Sequence, residues 1–438
     1  RGCAVGLPTT DNRQPATILH SHSCLPIALT LAAATALLVA FVFWSRLRRR
    51  HVHFDLPRGD ISSLMRSIAA LTHGRVIEGN AVRIIQNSDF FDALLDDLAK
   101  AQHHFHLETF LWADGVVSDR VVAALSEAAR RIEVRVLVDQ RGAKTTSPEA
   151  WATLKNAGVD FRVYHRARLL ELGWYNNRDH RKIAVIDGRI GYTFGHGIAD
   201  MWGGLRNDGW RDTAARFEGP IVTELQTAFF ENWMKVTWRA LGGPQYFPKI
   251  EDAGTIPMHV AYAAPPETST AVHRLYYLAI TSARHEILLQ NPYFLPDRDA
   301  LKLYADAVNR GVSVKLMLPT SGTSDVPIVQ HASHHYYAPL LEAGATLYEY
   351  TLSGLHQKVM VIDREWCTIG STNFDPRSFR INDEITVAMY DKNVAEVLAK
   401  AFEDDVKNAE MWDPARWAKR SFTHRLRDRV SVLAKRQL

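Results

Sequence analysis

Cysteine is scarce in this 438-residue chain: Cys3, Cys24 and Cys367 are its only three, spaced too widely for a disulfide framework or a zinc knuckle. Reduced, cytosol-facing thiols are the expectation. Methionine is missing before Met65 and the sequence opens on Arg1, so further sequence is expected upstream. Charge of one sign is not in large excess either. The formal charge of +4 is too mild to call for nucleic acid, and no nucleic-acid partner is expected. Apolar residues are not depleted as in a disordered chain, since 47% of residues are hydrophobic and 23% charged.

A long uncharged run does occur at residues 25–44. At roughly 1.5 Å per residue it can cross a hydrocarbon core of about 30 Å, and it is read as a transmembrane helix. Arg46, Arg48, Arg49 and Arg50 follow it, against Arg1 and Arg13 before it, so the positive-inside rule places the remainder in the cytoplasm. The layout expected is an N-terminal segment (1–24), the helix (25–44), a basic juxtamembrane linker (45–64), two similar halves (65–241 and 255–406) and a basic tail (407–438). In that tail Arg416, Lys419 and Arg420 alternate with residues such as Trp417, which suits either an interfacial helix on anionic lipid or a solvated tail.

From residue 82 a strand–helix rhythm sets in. Strands are expected at 82–86, 106–112, 134–138 and 161–164, and helices beginning after Ser88, at 119–131 and at 148–156. The second half repeats the order: helices at 270–283, 300–309 and 337–343 alternate with strands at 287–290, 312–318 and 347–350. This alternation predicts an α/β fold with mostly parallel sheet in two pseudo-twofold halves, and ligands at the carboxyl ends of strands.

The repeat is sharpest at His180-Arg181-Lys182 with Asp187 and at His356-Gln357-Lys358 with Asp363. The offsets 356 − 180, 358 − 182 and 363 − 187 all equal 176. Residues two apart on an extended strand share a face, so each histidine projects with its lysine. Asp187-Gly188 signals a hairpin that returns Gly195 opposite His180, and the second copy likewise returns Ser371 and Asn373 beside His356. Two imidazoles, two ammonium groups and hydroxyl or amide donors match a tetrahedral phosphoryl anion. Two lysines would repel a cation, so neither a catalytic metal nor another cofactor is expected there. His103, His104, His334 and His335 are read as surface residues or the lining of a headgroup path, and Asp139 to Gly142 as an active-site loop.

These motifs, together with His106 to Trp112, Trp210 to Thr213, Asn291 to Phe294 and Ile369 to Arg380, resemble the phospholipase D superfamily with its two HKD motifs. The wider sequence is similar to the bacterial cardiolipin synthase branch over about residues 71–417. The resemblance implies a phosphatidyltransferase at the bacterial inner membrane that moves a phosphatidyl group onto phosphatidylglycerol. A phospholipase D-type hydrolase and a nuclease are the alternatives. It implies that His180 attacks phosphorus and His356 serves as the acid, that Lys182, Lys358 and Asn373 hold phosphoryl oxygens, and that Asp212 and Glu384 orient the histidines. Asp187 and Asp363 are expected to be structural. Phe194-Gly195-His196-Gly197 departs from the family pattern, which has asparagine where Gly197 stands, leaving His196 or Asn207 as candidate substitutes.

Overall fold

The computed structural model describes residues 29–38, 61–164, 177–204, 209–264, 270–421, 427–428 and 431. The chain divides into two units, Arg1–His53 and Phe54–Leu438. In the first, residues 29–38 are helical with Leu29, Leu31, Leu37 and Leu38 exposed. The rest of the predicted 25–44 span and the arginines after it lie outside the described residues. Among the described residues no helix is long and apolar enough to cross a membrane.

The second unit is built on one 15-stranded sheet. Its strands are β1 (Ile77–Gln86), β2 (His104–Thr109), β3 (Glu133–Asp139), β4 (Asp160–Tyr164), β5 (Ile183–Ile186), β6 (Ile190–Phe194), β7 (Thr213–Glu218), β8 (Ile256–Ala263), β9 (Glu286–Gln290), β10 (Ser313–Pro319), β11 (Thr346–Tyr350), β12 (Val359–Ile362), β13 (Trp366–Gly370), β14 (Glu384–Met389) and β15 (Ala409–Trp412). Their spatial order is β15-β11-β10-β9-β12-β13-β14-β8-β1-β7-β6-β5-β2-β3-β4. Read outward from the central β8–β1 pair, the two sides carry the same succession, and β15 adds an edge to the second.

The expectation of mostly parallel sheet is corrected. Only β2–β3, β3–β4, β9–β10 and β10–β11 pair in parallel; the other neighbouring pairs are antiparallel. The strand–helix alternation describes only the outer strands. Around the motifs, tight hairpins reverse the chain: Asp187 and Gly188 have φ of 53° and 63°, and Asp363 and Arg364 of 53° and 55°, the left-handed pair of a type I′ turn. Two strands joined by such a turn must run antiparallel.

Each motif strand is short and wholly buried. Ile183 and Val185 pack on one face with Val222, Leu225 and Ala228 of the helix Val222–Thr237, while Ala184 and Ile186 pack on the other with Leu94 and Phe105. Val359 and Val361 share the first face with Leu398 and Phe402 of the helix Lys392–Val406, and Met360 and Ile362 the second. This period-two alternation between two helical layers fixes the register, because a one-residue slip would turn every side chain to the wrong layer. Both helices went unread in the sequence.

Helix starts follow local chemistry. Ser147, Asp297 and Asp391 accept backbone N–H bonds at the heads of Pro148–Asn156, Arg298–Asn309 and Lys392–Val406. Ser118, just before the helix expected at 119–131, instead lies inside Val116–Ala128, where its hydroxyl accepts the Trp112 indole N–H at 2.8 Å. The folded body also reaches past the expected limits of the halves. Ile61 and Leu64 are core residues, and beyond residue 406 β15 pairs with β11 while Trp417 is buried. Trp417 is therefore not an apolar residue of a free tail.

Candidate active site

Each histidine enters the site on backbone borrowed from the other half. His180 N–H donates to the Asp383 carbonyl at 2.9 Å and Asp383 N–H to the Arg178 carbonyl at 2.8 Å. Reciprocally, His356 N–H donates to the Arg211 carbonyl at 2.8 Å and Arg211 N–H to that of Gly354 at 2.7 Å. Asp383 precedes Glu384 at the head of β14, and Arg211 precedes Asp212 at the head of β7. The consequence is an exchange. His180 Nδ1 lies 3.0 and 3.1 Å from the two Glu384 oxygens, and His356 Nδ1 lies 3.1 Å from Asp212 Oδ2. A carboxylate at Nδ1 fixes the Nδ1–H tautomer and leaves Nε2 with its lone pair.

The lysines sit in the same layer. Lys182 Nζ donates to the His180 carbonyl at 3.0 Å and lies 5.6 Å from the Phe110 ring centre, which also abuts His180. Lys358 Nζ lies within 3.1 Å of His356 Nε2. Trp202 and Trp210 flank the His356 ring, with centroids at 5.1 and 5.7 Å.

All four groups are buried, and burial disfavours their charged forms. Burial pushes the Lys182 ammonium down to about 8, against the pull of Glu384 and Asp212. Lys358 falls to about 7 by burial, opposed by Asp212 and deepened by Lys182. Burial and then Lys358 bring His356 down to about 4, with Asp212 opposing; His180 is lowered by burial against Glu384. Burial alone would raise both carboxylates, but His180 and Lys182 hold Glu384 below the usual range, and His196, His356 and Lys358 hold Asp212 well below it. Groups from both halves thus act on one another, and an incoming phosphoryl anion would favour protonation of both lysines.

The supports of the two carboxylates differ. Glu384 accepts from the Ser371 and Ser378 hydroxyls, the latter at 2.6 Å. Asp212, one methylene shorter, accepts the Trp202 indole N–H at 2.9 Å. Gly195 stands where Ser371 stands in the other copy, and a Cβ there would meet Asp212 Oδ1 at 2.1 Å. Trp202 likewise stands 176 residues before Ser378 and packs against Gly197, whose added Cβ would lie 2.9 Å from its ring. The missing asparagine at 197 is therefore linked to an indole that occupies its space. His196 does not replace that asparagine: its Nε2 lies 2.7 Å from the Asn87 carbonyl and its ring stacks on Phe90. Asn207 lies outside the described residues. Asn373 Oδ1 is buried without a hydrogen-bond partner among the described residues.

The motif aspartates are at the far ends of their strands. Asp187 accepts backbone N–H bonds from Gln102, His103 and His104 at 2.8–2.9 Å, and Asp363 from Arg284, His285 and Glu286 at 2.7–3.2 Å. Asp139 braces the first motif from below, accepting from Arg141, Gly142 and Asp179 N–H. His104 and His334 are buried, whereas His103 and His335 are exposed. Sequence reading missed Trp202, Ser378 and Phe110. It also missed the buried walls behind the motifs, where Arg181 meets Glu231 and Arg211 meets Asp405. The residue following each motif histidine, Arg181 or Gln357, was the available signal for the wall, since it must point away from the site.

Comparison with known proteins agrees with this architecture. Residues 94–199 and 276–406 match the family model described as cardiolipin synthase, PLD-like domain. The chain is 31% identical over 381 residues to the major cardiolipin synthase of Bacillus subtilis, covering 85% of this chain and 79% of that protein. It is 34% identical over 356 residues to a cardiolipin synthase of Geobacillus kaustophilus, covering 80% and 70%. Among solved structures, the phosphatidylserine synthase of Haemophilus influenzae shares the fold, with a TM-score of 0.61 at 10% identity over 81% of this chain and 92% of that one. The chain belongs to the cardiolipin synthase family of PLD-like proteins.

Proposed function

We propose that the protein is a phosphatidyltransferase that makes cardiolipin from phosphatidylglycerol through a phosphohistidine. The observation that carries this is the crossed pair of histidine–carboxylate contacts, each beside a buried lysine. With Nδ1–H turned to Glu384, His180 Nε2 attacks the phosphorus of one phosphatidylglycerol. His356, which takes up a proton at Nε2 as the anionic phosphodiester binds, gives it to the glycerol oxygen as the bond from that oxygen to phosphorus breaks. His356 then takes the proton from the headgroup hydroxyl of a second phosphatidylglycerol, whose oxygen displaces His180 from phosphorus. Lys182, Lys358 and Asn373 bind the phosphoryl oxygens through both displacements. Relatives named as cardiolipin synthases support the choice of an alcohol over water as acceptor. The catalytic body is placed on the cytoplasmic side of the bacterial inner membrane, against its anionic surface. The support is the apolar run at 25–44 with its arginine collar.

The test is to incubate membranes holding wild type or His180→Ala with labelled phosphatidylglycerol. Cardiolipin and glycerol from wild type alone are expected. Phosphatidic acid alone would make it a hydrolase, and unchanged lipid would reject both.

A further inference from the structure

A second cluster of ionisable groups lies outside the two motifs and takes no part in the proposed reaction. His331 lies in the last turn of the helix segment Pro327–Ser333 and His334 opens the short turn after it. Asp428, from the C-terminal segment, sets Oδ1 at 3.1 Å from His331 Nδ1 and 3.0 Å from His334 Nδ1. The three ligating atoms lie within 4.8 Å of one another. His334 Nε2 is 2.8 Å from Glu349 Oε1, and Glu349 also accepts from Tyr337 Oη and Gln330 Nε2. The other Asp428 oxygen accepts from Arg420 at 2.6 Å.

A neutral imidazole carries one N–H, yet both nitrogens of His334 face carboxylate oxygens. One of those contacts sets a lone pair against an anionic oxygen unless a cation stands there. A second proton on His334 would let Asp428 and Glu349 each accept one of its N–H groups. A metal would take His331, His334 and Asp428 together. Zinc ligands about 2.0–2.1 Å from the ion sit roughly 3.3 Å apart in a tetrahedron, close to the 3.1 and 3.0 Å that separate Asp428 Oδ1 from the two histidine Nδ1 atoms. The Nε2–H of His334 directed at Glu349 is the outer hydrogen bond that a metal-bound imidazole ordinarily makes.

We propose that His331, His334 and Asp428 bind a zinc ion, with Glu349 holding His334 in its Nε2–H form and water at the fourth position. The ion would tie the C-terminal segment to the second half, beside Trp417, whose ring lies 4.8 Å from that of Tyr337.

The full chain, purified in detergent and stripped with chelator, is loaded with zinc chloride, desalted and assayed for metal by mass spectrometry. About one zinc per chain is expected in wild type. Asp428→Asn and His331→Gln should retain less than a tenth of that, and Glu349→Gln should weaken binding by about 10–100-fold. The double variant His180→Ala/His356→Ala should keep its zinc. Wild type without zinc, equal loading in Asp428→Asn, or loss in the double variant would each overturn the assignment. His331 is partly exposed, so its variant preserves the test should a buried substitution prevent folding.

Discussion

At the scale of residues, the two half-sites solve one problem with different side chains. A carboxylate must be held rigid against a histidine Nδ1. Around Glu384 two serine hydroxyls do this, and around Asp212 an indole N–H does it with a glycine cleared beside it. The asymmetry makes a specific prediction. Gly197→Asn alone forces a side chain into Trp202 and should lower kcat by about 10-fold or more, on the order of 1.4 kcal/mol of lost positioning. Gly197→Asn combined with Trp202→Ser copies the Asn373 and Ser378 arrangement and should recover part of that loss. Steady-state cardiolipin formation checks both, and a double variant no better than the single would refute the coupling.

At the scale of elements, the hairpins β5–β6 and β12–β13 carry the motifs, and their aspartates serve the turns. Asp187 lies five residues beyond Lys182, about 16 Å along an extended chain, and collects three backbone N–H groups at the start of β2. Asp187→Ala removes charge-assisted bonds that pin the turn and should cost about 2–3 kcal/mol of stability. It should leave kcat per folded molecule within about twofold, because nothing in the reacting layer has changed. Urea unfolding and activity normalised to folded protein separate the effects. A large fall in kcat with unchanged stability would assign the aspartate to chemistry.

At the scale of the whole molecule, the halves complete one another: neither holds a histidine with its own carboxylate. Bringing them together also buries both ammonium groups, which lowers Lys182 to about 8 and Lys358, depressed further by the Lys182 charge, to about 7. Protonation, needed to hold phosphate, is complete below these values and is lost as pH rises through them. The kcat/KM of the free enzyme should therefore decline above pH ~7–8, well below the ordinary lysine value of about 10.4. Lys182→Met removes the like charge, and the alkaline limb of its residual activity should move upward. A pH profile of labelled-lipid turnover measures this, and a limb that stays near pH 10 in wild type would contradict it.

The sequence by itself determined the local parts: the 176-residue repeat, the paired His-x-Lys motifs, the hairpin turns, and helices such as Pro148–Asn156 and Tyr337–Ala343 whose ends carry capping or breaking residues. These are legible because period, turn chemistry and motif spacing are properties of neighbouring residues. Tertiary structure decided what depends on distant partners. It made the sheet mainly antiparallel, because the hairpins lie at its centre and the strand–helix repeats at its flanks. It laid Glu384 against His180 and Asp212 against His356, contacts 204 and 144 residues apart along the chain. Packing likewise turned Trp202 from an unremarked residue in a loop into a donor to Asp212, since only the fold brings its indole N–H to that buried carboxylate.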